Sequence, residues 1–141
     1  MRRLIGLVLM LAAAGVCADD AAFLVVVHRS NPTASLTRGE LSAIYMKRTK
    51  SWRGGREIVP VDHFATVRVR EEFSRAIHGK SVAYVTRYWQ RLIFSGRGIP
   101  PPQLPSDAAV LELVQAHPGA IGYVSRATKP GDGVKVIAVT P

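Results

Sequence analysis

Mainly apolar runs of strand length occur at four places in the chain. They are Phe23 to Val27, Ile58 to Val61, Ala120 to Val124 and Val134 to Val139. The first run does not alternate with polar residues, which predicts a strand buried on both faces of a sheet. Helical patterns lie between these runs. Strands that alternate with helices predict an α/β domain with a mixed or mostly parallel sheet covered by helices.

The start of the first helix has a clear sequence signal. Thr37 and Glu40 have the spacing of a capping box, and Leu36 and Leu41 have the spacing of a hydrophobic staple. Three apolar side chains then share one helical face: Leu41, Ile44 and Tyr45. We therefore predict a helix that begins at Thr37.

Three further helices are predicted downstream. The first starts near Thr66 and stops at Gly79, with an apolar stripe of Val69, Phe73, Ala76 and Ile77. Ser81 caps the second, whose apolar positions are Val85, Tyr88, Trp89, Leu92 and Ile93. Ser106 precedes the third, from Asp107 to Ala116. We expect the aromatic pair Tyr88 and Trp89 to belong to the core.

The N-terminus has the features of a signal peptide. Arg2 and Arg3 form a positive region, Leu4 to Val16 is apolar, and cleavage is expected after Ala18. This divides the chain into a signal peptide, residues 1–18, and one domain, residues 19–141. The apolar run of about 13 residues is shorter than the roughly 20 of a membrane helix. A retained anchor, or a lipoprotein modified at Cys17, are the alternatives.

Export would determine the location, the thiol content and the charge of the protein. The expected location is periplasmic or secreted, without stable membrane insertion after signal removal. The single cysteine would leave with the signal. Without Arg2 and Arg3, 17 Lys and Arg residues face 10 Asp and Glu residues, a net charge of +7. Such an excess favours anionic partners without choosing among them.

Two segments carry a family resemblance. Leu36 to Val61 reads LTRGELSAIYMKRTKSWRGGREIVPV, and His117 to Val124 reads HPGAIGYV. The first resembles the L-T-x-x-E-L-x-x-I-(Y/F)-x-x-(K/R)-x-x-x-W segment and I-x-P-V strand of the periplasmic phosphate-binding proteins that serve ABC transporters. The second is similar to their N-P-G-A-I-G-Y-V strand. The resemblance implies one lobe of a type II periplasmic binding protein-like fold, and a transport-related substrate-binding function.

The resemblance also indicates where an anion would bind. In that family the turn after the equivalent strand reads R-S-D-G-S-G-T, whereas here it reads DHFATVRVR, with Asp62 near the position of the arginine. This departure implies weak phosphate binding at most. The candidate anion-site residues are His63, Thr66, Arg68 and Arg97. Arg68 also precedes Glu72 by four residues, the spacing of an ordinary helix-face pair, and Arg97 lies between two glycines in a loop.

The chain lacks the common catalytic motifs. No Ser-His-Asp elbow, HExxH or phosphate-binding P-loop motif occurs, and the four histidines are scattered. We therefore expect no catalysis, no cofactor and no metal. The cationic segment Lys47 to Arg56, called here the basic loop, carries one aromatic residue, Trp52, so nucleic-acid binding is not indicated.

Three functions remain open, of which association with the cell envelope through the basic face requires only the net charge of +7. Another is an exported, non-catalytic module that binds a small inorganic anion such as phosphate weakly, with a partner protein or second lobe supplying another wall. The alternative is an accessory protein–protein interaction module that has lost solute binding.

Overall fold

The computed structural model describes residues 21–141. The predicted signal peptide, its cleavage site and the start of the domain at residue 19 lie outside these residues. Between residues 21 and 141, no helix has both the length and the apolar character needed to span a bilayer.

A five-stranded mixed sheet forms the centre of the domain, as predicted. Its strands are β1 (Phe23–His28), β2 (Ser35–Thr37), β3 (Val59–Pro60), β6 (Ala120–Ser125) and β7 (Val134–Thr140), in the spatial order β2-β7-β1-β6-β3. Strand β1 pairs antiparallel with both β6 and β7, while the β2–β7 and β3–β6 pairs are parallel. A separate parallel pair, which was not predicted, joins β4 (Asp62–His63) to β5 (Gln103–Leu104).

Strand β1 is buried on both faces, which confirms the prediction from its continuous apolar run. Val25 and Val27 belong to one core cluster and Val26 to a second one, because successive side chains of a strand point to opposite faces. The first cluster contains three mutually packed aromatic rings, Tyr45, Phe73 and Tyr123. Helix α4 (Asp107–Ala116) supplies Val110 and Val114 to the second cluster.

The capping box of helix α1 (Arg38–Tyr45) is present in full. The Glu40 amide donates to Thr37 Oγ1 at 3.1 Å, and the Thr37 amide donates to the Glu40 carboxylate at 2.8 Å. Ser81 and Ser106 likewise cap helices α3 (Val82–Phe94) and α4. These local predictions are confirmed.

The predicted apolar stripe between Thr66 and Gly79 is partly wrong. Helix α2 (Arg68–Phe73) begins two residues after Thr66, and a π-helical turn (Ser74–His78) follows it. The π turn widens the helical repeat, so Ala76 is exposed and Ser74 is buried in its place. Gly79 ends the segment in the left-handed conformation, as predicted.

The apolar stripe of α3 is also shorter than predicted. Val82, Val85 and Trp89 are buried, whereas Tyr88 and Leu92 are half-buried and Ile93 is exposed. The C-terminal end of this helix therefore extends beyond the part of the domain that covers its apolar side.

The capping box of α1 provides a direct test of the fold. Replacing Thr37 with Ala removes the side-chain acceptor of the Glu40 amide and should lower the free energy of unfolding by about 1 kcal/mol. The control Thr37→Ser retains a hydroxyl and should remain close to the wild type. Reversible urea unfolding measures both variants, and equal stability of the Ala and Ser variants would contradict the capping role.

Candidate functional site

A groove of about 510 Å³ lies between the basic loop, the edge strand β3 and the segment that follows α3. We call it the basic groove. Its lining contains four cationic side chains and one acidic one. The cations are Lys47, Arg48, Lys50 and Arg97, and the acid is Glu57. Two parts of the chain separated by almost 50 residues therefore place positive charge around one concave surface.

The end of α1 positions the first wall of the basic groove. The amides of Arg48 and Thr49 donate to the Ala43 carbonyl, and the Ile58 amide donates to the Lys50 carbonyl. Lys47 has a φ of 55°, a left-handed conformation that a glycine usually supplies after a helix. A lysine at this position adopts a less favourable backbone conformation and brings its charge to the groove.

The second wall follows the last turn of α3. The Arg97 amide donates to the Leu92 carbonyl at 2.9 Å, and Arg97 Nε donates to Ser95 Oγ at 3.0 Å. Gly96 has a φ of 67°, so the chain turns where a residue with a side chain would be strained. This turn places Arg97 opposite the basic loop.

The four groove cations form no ion pairs among residues 21–141. The carboxylates of Glu71 and Glu72 pair with Arg75 and Arg68 instead. Arg48, Lys50 and Arg97 are exposed, so solvent and salt screen their charges. The arrangement can attract an anion from several directions, but it does not enclose and dehydrate one.

A second hollow of about 1060 Å³ lies on the other side of the basic loop, beside the Ser30–Leu36 connection. It is about twice as large, yet its charged lining consists of Arg53, Arg56 and Glu40. The basic groove thus has the greater excess of positive charge in the smaller volume. Charge density therefore favours the basic groove as the anion site.

The four predicted site residues do not share one surface. Arg97 lines the basic groove. Thr66 is exposed in the turn before α2. Arg68 is exposed and forms the helix-face pair that its spacing allowed, with Glu72 at 3.1 Å. His63 is fully buried. No observation tests an anion-binding role for any of the four, and only Arg97 lies where the groove cations converge.

Three groove residues, Lys47, Arg48 and Lys50, were missing from the predicted site. Their signal in the sequence was the density of positive charge in the basic loop after α1. Their proximity to Arg97 depends on the tertiary position of α3 and of the segment that follows it, which no local pattern encodes.

The carboxylate of Asp62 is removed from the surface. Its Oδ1 lies 3.5 Å from Arg70 Nε and accepts a hydrogen bond from the Tyr123 hydroxyl. Burial, followed by the nearby Asp62 charge, raises the pKa of Tyr123 far above its ordinary value. Because Arg70 and Tyr123 compensate the charge of Asp62, this residue presents little negative charge to an anion at the surface.

His63 connects the small β4–β5 sheet to the main sheet. Its Nε2 lies 2.7 Å from the Tyr123 carbonyl and 3.6 Å from Asp107 Oδ1. A carbonyl oxygen only accepts hydrogen bonds, so Nε2 carries a proton. His63 Nδ1 has no hydrogen-bond partner among the described residues. These contacts indicate a structural position for the imidazole ring.

The fold is supported by comparison with solved structures. No protein-family model and no curated protein matches the sequence. Among solved structures, an ABC-type phosphate transport receptor from Vibrio cholerae is similar, with a TM-score of 0.66 at 20% identity. The match covers 84% of this chain and 46% of the receptor.

PstS from Borrelia burgdorferi is similar too, with a TM-score of 0.63 at 12% identity, and the match covers 84% of this chain and 47% of PstS. The chain thus spans less than half the length of these solved structures. The fold is that of a single lobe of a periplasmic binding protein, as the sequence resemblance implied. Identities this low establish the fold alone.

The left-handed conformation of Lys47 leads to a prediction with two opposite effects. Lys47→Gly should raise the free energy of unfolding by about 1 kcal/mol, because glycine adopts this conformation without a steric penalty. The same change removes one groove cation and should weaken anion binding. Urea unfolding and a phosphate titration measure the two effects. A variant that is less stable than the wild type would contradict the assigned backbone conformation.

Proposed function

We propose that this protein is an exported, non-catalytic module, periplasmic or secreted, that binds a small inorganic anion such as phosphate weakly in the basic groove. The observation that carries the proposal is the convergence of Lys47, Arg48, Lys50 and Arg97 on one concave surface, with Glu57 as the only acid in its lining. The fold supports the same conclusion, since the similar Vibrio cholerae structure is an ABC-type phosphate transport receptor.

Weak binding follows from the exposure of the groove. Hydrated, screened cations contribute little individually, and an anion in an open groove retains most of its water. The phosphate turn of the resembling family is also altered here, because its arginine position holds Asp62, which pairs with Arg70. A partner protein or second lobe that closes over the groove would strengthen binding by excluding water.

A non-catalytic role is consistent with the positions of His63 and Asp62. Reactive groups in enzymes share a cleft with their substrate. His63 is buried under the sheet, and Asp62 is engaged by Arg70 and Tyr123. Neither residue lines the basic groove.

The alternative function, a protein–protein interaction module, is favoured by a different observation. Phe94 at the end of α3 is 90% exposed, and Ile99 in the following segment is 71% exposed. Contiguous exposed apolar surface is typical of interaction sites, and two large, strongly exposed apolar side chains within six residues could contribute to such a surface.

Calorimetric titration with phosphate tests the anion-binding proposal. The dissociation constant should lie in the millimolar range at low salt, about −4 kcal/mol of binding free energy. Binding should weaken further at 0.15 M salt, where the screening length is about 8 Å. Micromolar binding that survives this salt concentration would be inconsistent with an open, screened site.

Variants locate the site. The double change Lys50→Ala and Arg97→Ala should abolish measurable binding, whereas Thr66→Ala should not affect it. Lys129→Ala removes one exposed charge outside the groove lining and serves as the control for net charge. An equal effect of Lys129→Ala and Arg97→Ala would show that general positive charge, rather than the groove, attracts the anion.

A further inference from the structure

One wall of the basic groove is apolar, which bare phosphate does not require. Tyr88, Trp89 and Leu92 of α3 line it together with Ile99. Ile99 is 71% exposed, and Phe94, two residues beyond Leu92, is 90% exposed. The groove therefore combines the cations of the basic loop and Arg97 with apolar surface from α3 and Ile99. A ligand that matches both walls carries negative charge and large apolar groups.

The edge strand beside the groove is closed to strand addition. The amides of Val59 and Val61 point towards β6 and donate to the carbonyls of Gly119 and Ile121. On the outer side, the Ile58 amide donates to the Lys50 carbonyl and the Asp62 amide to the Pro102 carbonyl. Pro60, between them, has no amide hydrogen. An occupant is consequently recognised through side chains and not as an additional strand.

The charges and the shape of the groove discriminate between classes of occupant. A second copy of this chain would bring the same four cations against the first four, and like charges in contact disfavour such a pair. A lipid surface is flat, whereas the cations and Ile99 surround a concave space of about 510 Å³. A protein segment can insert side chains into such a space.

We infer that the basic groove, together with Phe94, is a docking site for a segment of a partner protein that carries acidic and large apolar side chains. The acidic groups contact Lys47, Arg48, Lys50 and Arg97, and the apolar groups cover Leu92, Phe94 and Ile99. This inference rests on the proposed function, because the same cations serve both ligands, and it adds a preference for apolar groups beside the charge.

Selection from a displayed library of random 12-residue peptides, with the full chain as bait, tests this docking site. The enriched peptides should combine Asp or Glu with Leu, Phe or Trp. Fluorescence anisotropy then measures the affinity of one enriched peptide and of the same peptide with Ser at its apolar positions. We expect the second peptide to bind at least about tenfold more weakly, the effect of losing one buried apolar side chain.

Variants of the protein assign the preference to the groove. Phe94→Ser with Ile99→Ser should weaken binding of the enriched peptide about tenfold. Phe94→Ser alone changes a residue outside the groove lining and should leave phosphate binding unchanged. Arg97→Ala should weaken binding of both the peptide and phosphate. The control Val136→Ser alters another exposed apolar residue, on β7, which β1 and β6 separate from β3, and should change neither.

Several results would overturn the docking site. They are a selection without acidic–apolar enrichment, a peptide affinity that the Phe94 and Ile99 changes leave intact, and a dimer of the full chain that these changes dissociate in sedimentation analysis. Binding to phosphatidylglycerol vesicles that depends on Phe94 would assign the surface to lipid instead. Absence of phosphate binding alone contradicts the proposed anion-binding function, whereas absence of the apolar preference contradicts only this inference.

Discussion

The candidate site depends on the carbonyl of Gly119, which binds both strand β3 and the basic loop. It accepts hydrogen bonds from the Val59 amide and from Trp52 Nε1, both at 3.0 Å. A Cβ atom at Gly119 would lie 2.2 Å from the Glu57 carbonyl, so only glycine permits this approach. The contact holds strand β3 against β6 and anchors the basic loop to the sheet. This contact fixes the position of the basic loop, and with it the positions of Lys47 and Lys50 beside the groove.

Buried polar groups stabilise the turn after strand β3. A carboxylate taken out of water requires compensating partners, and Asp62 obtains them from Arg70 and Tyr123. Tyr123 also belongs to the aromatic core, stacked on Phe73 with a centroid separation of 3.8 Å. In the resembling family this turn carries the phosphate ligands. Here its Asp62 instead binds Arg70 of α2 and Tyr123 of β6. Anion binding, in our account, depends on the groove formed by the basic loop.

Local features of the fold were predictable from the sequence, and long-range ones were not. The N-caps Thr37, Ser81 and Ser106 act on amides within the next three residues, so short motifs identified them. The π turn that exposes Ala76 and the pairing of β4 with β5 depend on tertiary contacts. For the site, the loop position of Arg97 was predicted, but its approach to Lys47 and Lys50 is set by the packing of α3.

The most direct test of anion binding in the basic groove is a phosphate titration of the ¹⁵N-labelled protein followed by two-dimensional NMR. If phosphate binds in the basic groove, chemical-shift changes should be concentrated at the amides of residues 47–50 and 96–98 and should saturate at millimolar phosphate. Residues 62–68 should show no comparable changes. Changes concentrated at Thr66 and Arg68, or no changes at millimolar phosphate, would contradict binding in the basic groove.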